Sequence, residues 1–327
     1  MATPSARNRL RGPKGEEEEE GGGWMSAGSD DGVVPEGAAS TPGPSRVSLG
    51  TSGWSYKEWE GVLYPRGEKR KLTYYSRYFE TVEIDSTYYA YPSKAMVQGY
   101  ARATPEGFVF SAKLPKLITH EKRLDVGRGV EQDLMRFLHV MRPLEDAGKL
   151  GALLVQLPPS FSYEGGLASL KGFLEVAPSD LRFAVEFRSL SWLRPETWDL
   201  LRAHSVAYTI VDEPLLPPDP VVTADFAFIR WHGRGARPWY NYRYTDEQLK
   251  AWTPRVREVA AKVKKVYGYH NNHPYGHAVE GALKEMELLG IAGDEQRALR
   301  RRVTRAIDQR LAERSGDRQE ALDSPGV

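Results

Sequence analysis

The chain has 327 residues, 40% of them hydrophobic and 27% charged, with a formal net charge of +1. That balance excludes a wholly disordered or fibrous chain, and no apolar run approaches the ~18 residues needed to cross a bilayer. The absence of cysteine removes disulfides, thiolate metal sites and cysteine nucleophiles together, and with no hydrophobic export signal behind the first arginines a cytoplasmic address is expected.

Residues 1–45 hold five consecutive glutamates (Glu16–Glu20), three glycines and a Gly/Ser/Pro/Ala stretch. They cannot bury enough apolar surface to offset the entropy of ordering, so a disordered acidic leader is expected there. Eight short segments rich in β-branched and aromatic residues then read as strands: 47–52, 81–86, 108–113, 152–157, 182–187, 206–211, 227–232 and 265–270. Helix-period stretches lie between them at about 71–79, 93–103, 129–146, 165–177, 191–204, 245–263 and 276–289. The sixth connection breaks this alternation. It runs from Glu213 to Asp225, carries Pro214, Pro217, Pro218 and Pro220, and cannot hold a crossover helix; an extended loop crossing the rim is expected instead. Residues 293–327 form a charged tail, with Leu299, Val303, Ile307 and Leu311 at helical spacing.

Strands alternating with helices imply a parallel sheet, and eight units over residues 46–292 match the size, about 250 residues, of a closed (β/α)8 barrel. The expected fold is therefore a TIM-type barrel with a degenerate sixth βα unit. A doubly wound open sheet is the rival, but no glycine-rich phosphate loop follows the first strand. Side chains of a strand alternate between its faces. Glu83 and Asp85 share one parity against Val82 and Ile84, Glu186 and Arg188 oppose Val185 and Phe187, and Arg230 and His232 oppose Ile229 and Trp231. The apolar parity must meet the helices. The charged parity then points into the barrel near the C-terminal strand ends, where barrel enzymes build their active sites, joined by Lys113 and Gln156 at the ends of their own strands. Unpaired ions there would cost several kcal/mol each. The set is thus either a self-neutralising plug or a ligand site.

The runs GTSGWSYKEWEGVLYP (50–65), VEIDSTYYAYP (82–92), FVFSAKLPKLITHEKRL (108–124), LLVQLPPSF (153–161), FAVEFRSLSW (183–192), TADFAFIRWHG (223–233) and VYGYHNNHPYGHA (266–278) resemble the YecE-like family, a domain of unknown function. The resemblance spans about residues 47–290 and implies a TIM-type barrel but no established activity. It also implies an aspartate after the paired asparagines, where this chain has His273.

Three chemistries suit the expected mouth. Anion binding would use Lys113, Arg188, Arg230 and the loop arginines Arg234 and Arg237, with the helix that opens near His277 presenting free amides. Metal-assisted hydrolysis would draw on Glu83, Asp85, Glu186, Asp212, His120, His232, His270 and His277, with a divalent ion the cofactor to consider, although no familiar ligand spacing is present. Glycoside hydrolysis would pair Glu83 with Glu186 and stack sugars on Trp54, Trp192, Trp231 or Trp239, against which stand the nearby cations that depress a general acid. Ser52 lacks a strained elbow and a His–acid pair, which excludes serine hydrolysis. The sequence points to a hydrolase or isomerase acting on a small anionic molecule. Glu83 or Glu186 is the expected base or metal ligand, Lys113 is a charge-neutralising group, and His232 moves a proton near neutral pH. Trp54, Asp85, His120, Gln156, Arg188, Asp212, Arg230, Asn271, Asn272 and His277 complete the expected ligand-binding set. Nucleic acid is a secondary candidate partner, because the folded part carries only 33 basic against 29 acidic residues. A non-catalytic binding module remains an alternative.

Overall fold

The computed structural model describes residues 46–236 and 238–323; the expected leader and Arg237 lie outside the described residues. Eight strands form the barrel wall: β1 (Val47–Thr51), β2 (Thr81–Ile84), β3 (Val109–Lys113), β4 (Leu150–Gln156), β5 (Arg182–Glu186), β6 (Ala207–Asp212), β7 (Phe226–Trp231) and β8 (Lys265–His270). All pair in parallel in the order β1-β8-β7-β6-β5-β4-β3-β2. Around them stand α1 (Lys71–Tyr75), α2 (Lys94–Ala103), α3 (Val130–Asp146), α4 (Tyr163–Val176), α5 (Pro195–Ala203), α6 (Asp246–Lys262), α7 (His277–Leu289) and α8 (Asp294–Asp323). This is the expected TIM-type barrel. Several helices start at the capping residues their sequence supplies: the Ser93, Ser162 and Thr245 side chains each accept a backbone N–H of the first turn.

The sixth connection contains no helix, as its prolines require. It starts at the mouth, where Glu213 meets Arg188, and returns the chain to the start of β7. At its lower end the Thr223 hydroxyl accepts from the Tyr208 N–H and donates to the Val206 carbonyl, both at 2.7 Å. Among the described residues no helix is long and apolar enough to cross a membrane.

Strand parity sorts the core into two bodies. Outward residues such as Val82, Ile84, Val185, Ile229 and Trp231 pack against the helices. Inward residues Ala152, Leu154, Ala184, Ala207, Phe226, Phe228, Tyr267 and Tyr269 fill the lower barrel. The upper layer is polar. The Tyr269 hydroxyl marks the change, lying 2.8 Å from Ser111 Oγ and 2.7 Å from Thr81 Oγ1.

Between β1 and β2 the hydrogen-bonded ladder is interrupted, and the barrel closes by a seam. At the top, Ser52 bridges to Glu83, and the Gly53 N–H donates to the Glu83 carbonyl at 2.8 Å. Lower down, Tyr75 at the end of α1 inserts its hydroxyl between the strands. That oxygen accepts from the Thr51 N–H at 3.0 Å and donates to the Thr81 carbonyl at 3.2 Å. Gly50 permits the approach, because a Cβ there would lie 2.2 Å from the Thr81 carbonyl oxygen. Tyr75→Phe strips these buried backbone groups of their partner, so we expect a loss of ~1–3 kcal/mol in urea denaturation; an unchanged midpoint would show that the hydroxyl does not hold the seam.

Candidate functional site

The charged inward parity converges as the sequence suggests. Arg230, at the inward face of β7, is fully buried. One Nη donates to Glu83 Oε1 of β2 at 2.7 Å and the other to Glu186 Oε2 of β5, also at 2.7 Å. The Ser52 hydroxyl donates to Glu83 at 2.6 Å and accepts from Arg230 at 3.0 Å. A planar guanidinium therefore ties three non-adjacent strands and the end of β1 across the barrel axis. Burial pushes the Glu186 carboxyl upward, but the charges of Arg188 and Arg230 outweigh it and hold it well below the usual carboxylate range.

A second layer lies above. The Arg188 Nε donates to Glu186 at 2.7 Å, and its Nη atoms reach Glu213 and His232 Nε2, the latter at 3.0 Å. His232 is driven down to about 3, first by burial and then by the Arg188 charge. The imidazole is therefore neutral at physiological pH, contrary to the expectation that it gains and loses a proton there. Its two ring nitrogens are both engaged: Arg188 reaches Nε2, and the Asn271 Nδ2 lies 2.9 Å from Nδ1. Glu213, from the proline-rich loop, is the group whose proton exchanges near neutrality. Burial raises it to about 7 because Arg188 offsets only part of the desolvation.

Over this floor opens a cavity of about 290 Å³. Its base presents Asp85, Lys113, Gln156, Arg188, His232 and Asn271, and its walls are Tyr88, Tyr89, Trp239, Tyr240 and His273. Lys113 Nζ lies 2.6 Å from Asp85 Oδ1 and 5.3 Å from the centre of the Tyr88 ring. Burial acts to raise the Asp85 carboxyl, and the adjacent Lys113 charge overrides it to leave a net lowering. The His273 ring stacks on Tyr56 at 4.3 Å and on Tyr240 at 5.1 Å. His120 lies beside the mouth, edge-on to Tyr88 at 5.1 Å, on a single π-helical turn spanning Leu117–Glu121.

Several expected members sit elsewhere. Glu83, Glu186 and Arg230 lie beneath the floor and do not line the cavity. Asp212 has outward parity, shared with Ile210, and binds Arg234 through two bonds of 2.7 Å as well as the Trp252 indole N–H. Arg234, expected to receive an anion, is committed to that pair. Trp54 packs edge-on against Tyr100 at 5.1 Å, away from the cavity lining. Trp192 and Trp231 are fully buried in packing, and His270 stacks on Trp231 at 4.6 Å. Asn272 is buried and donates to the Tyr242 carbonyl at 2.8 Å. His277 is buried at the start of α7. Among the described residues no group of three or more His, Asp or Glu side chains is arranged to hold a metal ion. The residues sequence reasoning missed are Tyr88, Tyr89, His273 and Glu213. Tyr88 and Tyr89 stand in a loop motif, His273 marks a departure from the resembled family, and Glu213 follows the outward-facing Asp212 and so shares the inward parity of Thr209 and Val211.

Two measurements probe this layer. Arg230→Met leaves two carboxylates buried without their cation, and we expect a loss of ~3–5 kcal/mol in denaturant unfolding, largely restored by adding Glu83→Gln and Glu186→Gln. The pH profile follows from groups whose folded and unfolded affinities for protons differ. His232, His270 and His277 are lowered by burial to about 3, 3 and 4, so the stability they contribute is present above their unfolded value of 6.5 and is lost as pH falls. Glu213 and Glu285 are raised by burial from 4.5 to about 7 and 8, so theirs is present below 4.5 and lost as pH rises. Maximum stability is expected near pH ~6.5, and Glu285→Gln should flatten the alkaline limb in urea titrations between pH 5 and 9; an unaltered limb would exclude Glu285 as its source.

The model of the family described as a protein of unknown function, DUF72, matches residues 48–305. A DUF72 family protein of Thermotoga maritima with a solved structure is 35% identical, with a TM-score of 0.68, covering 75% of this chain and 99% of that one. One from Enterococcus faecalis is 26% identical with a TM-score of 0.67, covering 76% and 97%. The UPF0759 protein YunF of Bacillus subtilis is 25% identical over 270 residues, covering 75% of this chain and 95% of its own length. The UPF0759 protein YecE of Escherichia coli is 31% identical over 142 residues, covering 43% and 48%. With its barrel, its motifs and more than half its length accounted for, the chain belongs to the DUF72 family.

Proposed function

We propose that the chain is an enzyme of the hydrolase or isomerase kind whose substrate is a small phosphorylated or carboxylated molecule carrying a planar or apolar body. The observation that carries this reading is Lys113. The residue is 7% exposed and lines the cavity, and Asp85 is its one ion-pair partner among the described residues. An ammonium has three donors, so two remain for an incoming anion. Arg188 and Arg230 add positive field from below, although their Nη donors are committed to Glu186, Glu213, Glu83 and His232. Tyr88, Tyr89, Trp239 and Tyr240 give the organic part of the ligand aromatic surface to stack on.

The same pair supplies chemistry. Asp85 is the carboxylate at the cavity surface, so it replaces Glu83 and Glu186 as the group that takes a proton from substrate or water, while Lys113 stabilises the negative charge that develops beside it. Gln156 and Asn271 offer neutral amides for orientation. A nucleotide meets the same demand, and an oligonucleotide would place its phosphate there with a base on the tyrosines.

A second reading has its own observation: the buried charges of the floor each have an opposite partner within hydrogen-bond reach, as a purely structural plug would. A thermal-shift panel of inorganic phosphate, phosphorylated sugars, nucleotides, single-stranded oligonucleotide, neutral oligosaccharides and divalent cations separates the two. A saturating phosphorylated ligand should stabilise by ~2.7 kcal/mol at a hundred times its Kd, and Lys113→Met should weaken it roughly ten- to hundredfold. If no compound shifts the transition and Lys113→Met with Asp85→Asn raises stability, the floor is a plug and the enzyme reading falls.

A further inference from the structure

Three loops at the C-terminal ends of the strands build one side of the cavity. The β7 loop supplies Trp239 and Tyr240 and the β8 loop supplies Asn271 and His273 to its lining, while Tyr56 and Glu58 of the β1 loop back His273 from behind. They touch one another. The Trp59 indole N–H donates to the His273 carbonyl at 2.9 Å, Glu58 Oε1 lies 3.3 Å from His273 Nδ1, and Asn272 donates to the Tyr242 carbonyl at 2.8 Å. The β8 loop is also strained. Tyr275 has φ +57° and is followed by Gly276 at +89°, where a Cβ would come within 2.8 Å of Val62 of the β1 loop. A non-glycine residue in the left-handed region persists where its surroundings over-determine it.

What surrounds these loops on the outside is the distal half of α8. The helix docks through Leu299, Val303 and Ile307, which are 4%, 0% and 0% exposed. Beyond that seam each loop receives a polar tie from it. Arg310 donates through its two Nη atoms to the carbonyls of Glu58 and Glu60 in the β1 loop. Arg314 donates to the hydroxyl of the strained Tyr275 and lies 4.9 Å from the centre of its ring. Asp308 accepts from Arg243 of the β7 loop at 2.7 Å, while Arg243 also forms two bonds, of 2.6 and 2.7 Å, with Glu280 of α7. Asp308, Arg310 and Arg314 all lie beyond the segment that the family model matches, which ends at residue 305.

We infer that the distal half of α8 is a strap that positions the β1, β7 and β8 loops, making Asp308, Arg310 and Arg314 positioning residues of the cavity wall. Its importance for a ligand rests on the reading of the cavity given above; the positioning itself does not. The spacing of the ties, two and four residues apart, lets one rigid helix hold all three loops from outside. Tyr56, His273 and Tyr240 form a stack contributed by all three loops, so releasing any of them opens the same wall.

Hydrogen exchange of the full chain, followed by mass spectrometry without any ligand, tests this. Arg310→Ala with Arg314→Ala should speed exchange roughly ten- to hundredfold in segments 56–64, 238–244 and 271–276, the loss expected for hydrogen bonds to charged donors. The strands should keep their protection, and Arg310→Lys alone should retain more protection in segment 56–64 than Arg310→Ala. Unchanged exchange in the three segments would overturn the proposal. Equal acceleration across the strands would overturn it too, since the helix would then be a general stabiliser. Because no ligand enters the measurement, a cavity that binds no anion leaves the result unaffected.

Discussion

The interaction on which the rest of the molecule depends is the fork of Arg230 between Glu83 and Glu186. A parallel barrel of eight strands has an interior that must be filled, and here Phe226, Phe228, Tyr267 and Tyr269 fill only its lower part. The upper layer is ionic, and a single planar cation fixes the relative height of β2, β5 and β7. Well-packed apolar residues of similar volume would often serve stability as well or better than a buried ion pair. On the proposed reading, the ionic layer directly under the open cavity is a source of fixed field for whatever occupies it.

The field is organised by depth. At the bottom, Glu186 is locked as an anion by two guanidinium groups, and His232 is locked neutral by burial beside them. Neither changes state near physiological pH, so they give a constant background. Glu213, held by Arg188 yet raised to about 7 by burial, is the adjustable member. Its ionisation adds one negative charge next to Arg188 and weakens the positive field that Lys113 and Arg188 present upward. On the proposed reading of the cavity, anion affinity declines as pH rises through neutrality, in the same direction as the stability that Glu213 contributes.

Much of this arrangement is legible in the sequence. The eight strands, the proline-filled sixth connection and the inward direction of Glu83, Asp85, Glu186, Arg230 and His232 all follow from period-two alternation, because a strand between packed helices and a barrel interior has no third direction for its side chains. Asp212 could have been placed by the same rule, since it shares parity with Ile210 and Tyr208, which face the helices. What alternation cannot give is depth. It says that Glu83 and Glu186 point inward but not that Arg230 closes over them and removes them from the cavity surface. Loops fall outside its reach altogether. Tyr88, Tyr89 and His273 line the mouth because of turns whose geometry depends on contacts with residues far along the chain, such as the Trp59 bond to His273 across 214 positions.

The division of labour between strands and loops also explains why the cavity needs an external brace. Strand-borne groups are held to their positions by ladder hydrogen bonds and by the ionic fork, and they need no further support. The aromatic wall has none of those restraints: Tyr240 is 41% exposed and Tyr89 is 70% exposed. Ring stacking among Tyr56, His273 and Tyr240 is worth only ~0.5–1.5 kcal/mol per pair, too little to fix a loop against the entropy of its backbone. A long helix anchored by buried Val303 and Ile307 can supply that restraint from outside, because its own position is set by apolar packing and its arginines reach carbonyls that would otherwise face water. On this physical view the barrel determines the charge a ligand meets, while α8 determines the shape of the wall beside it.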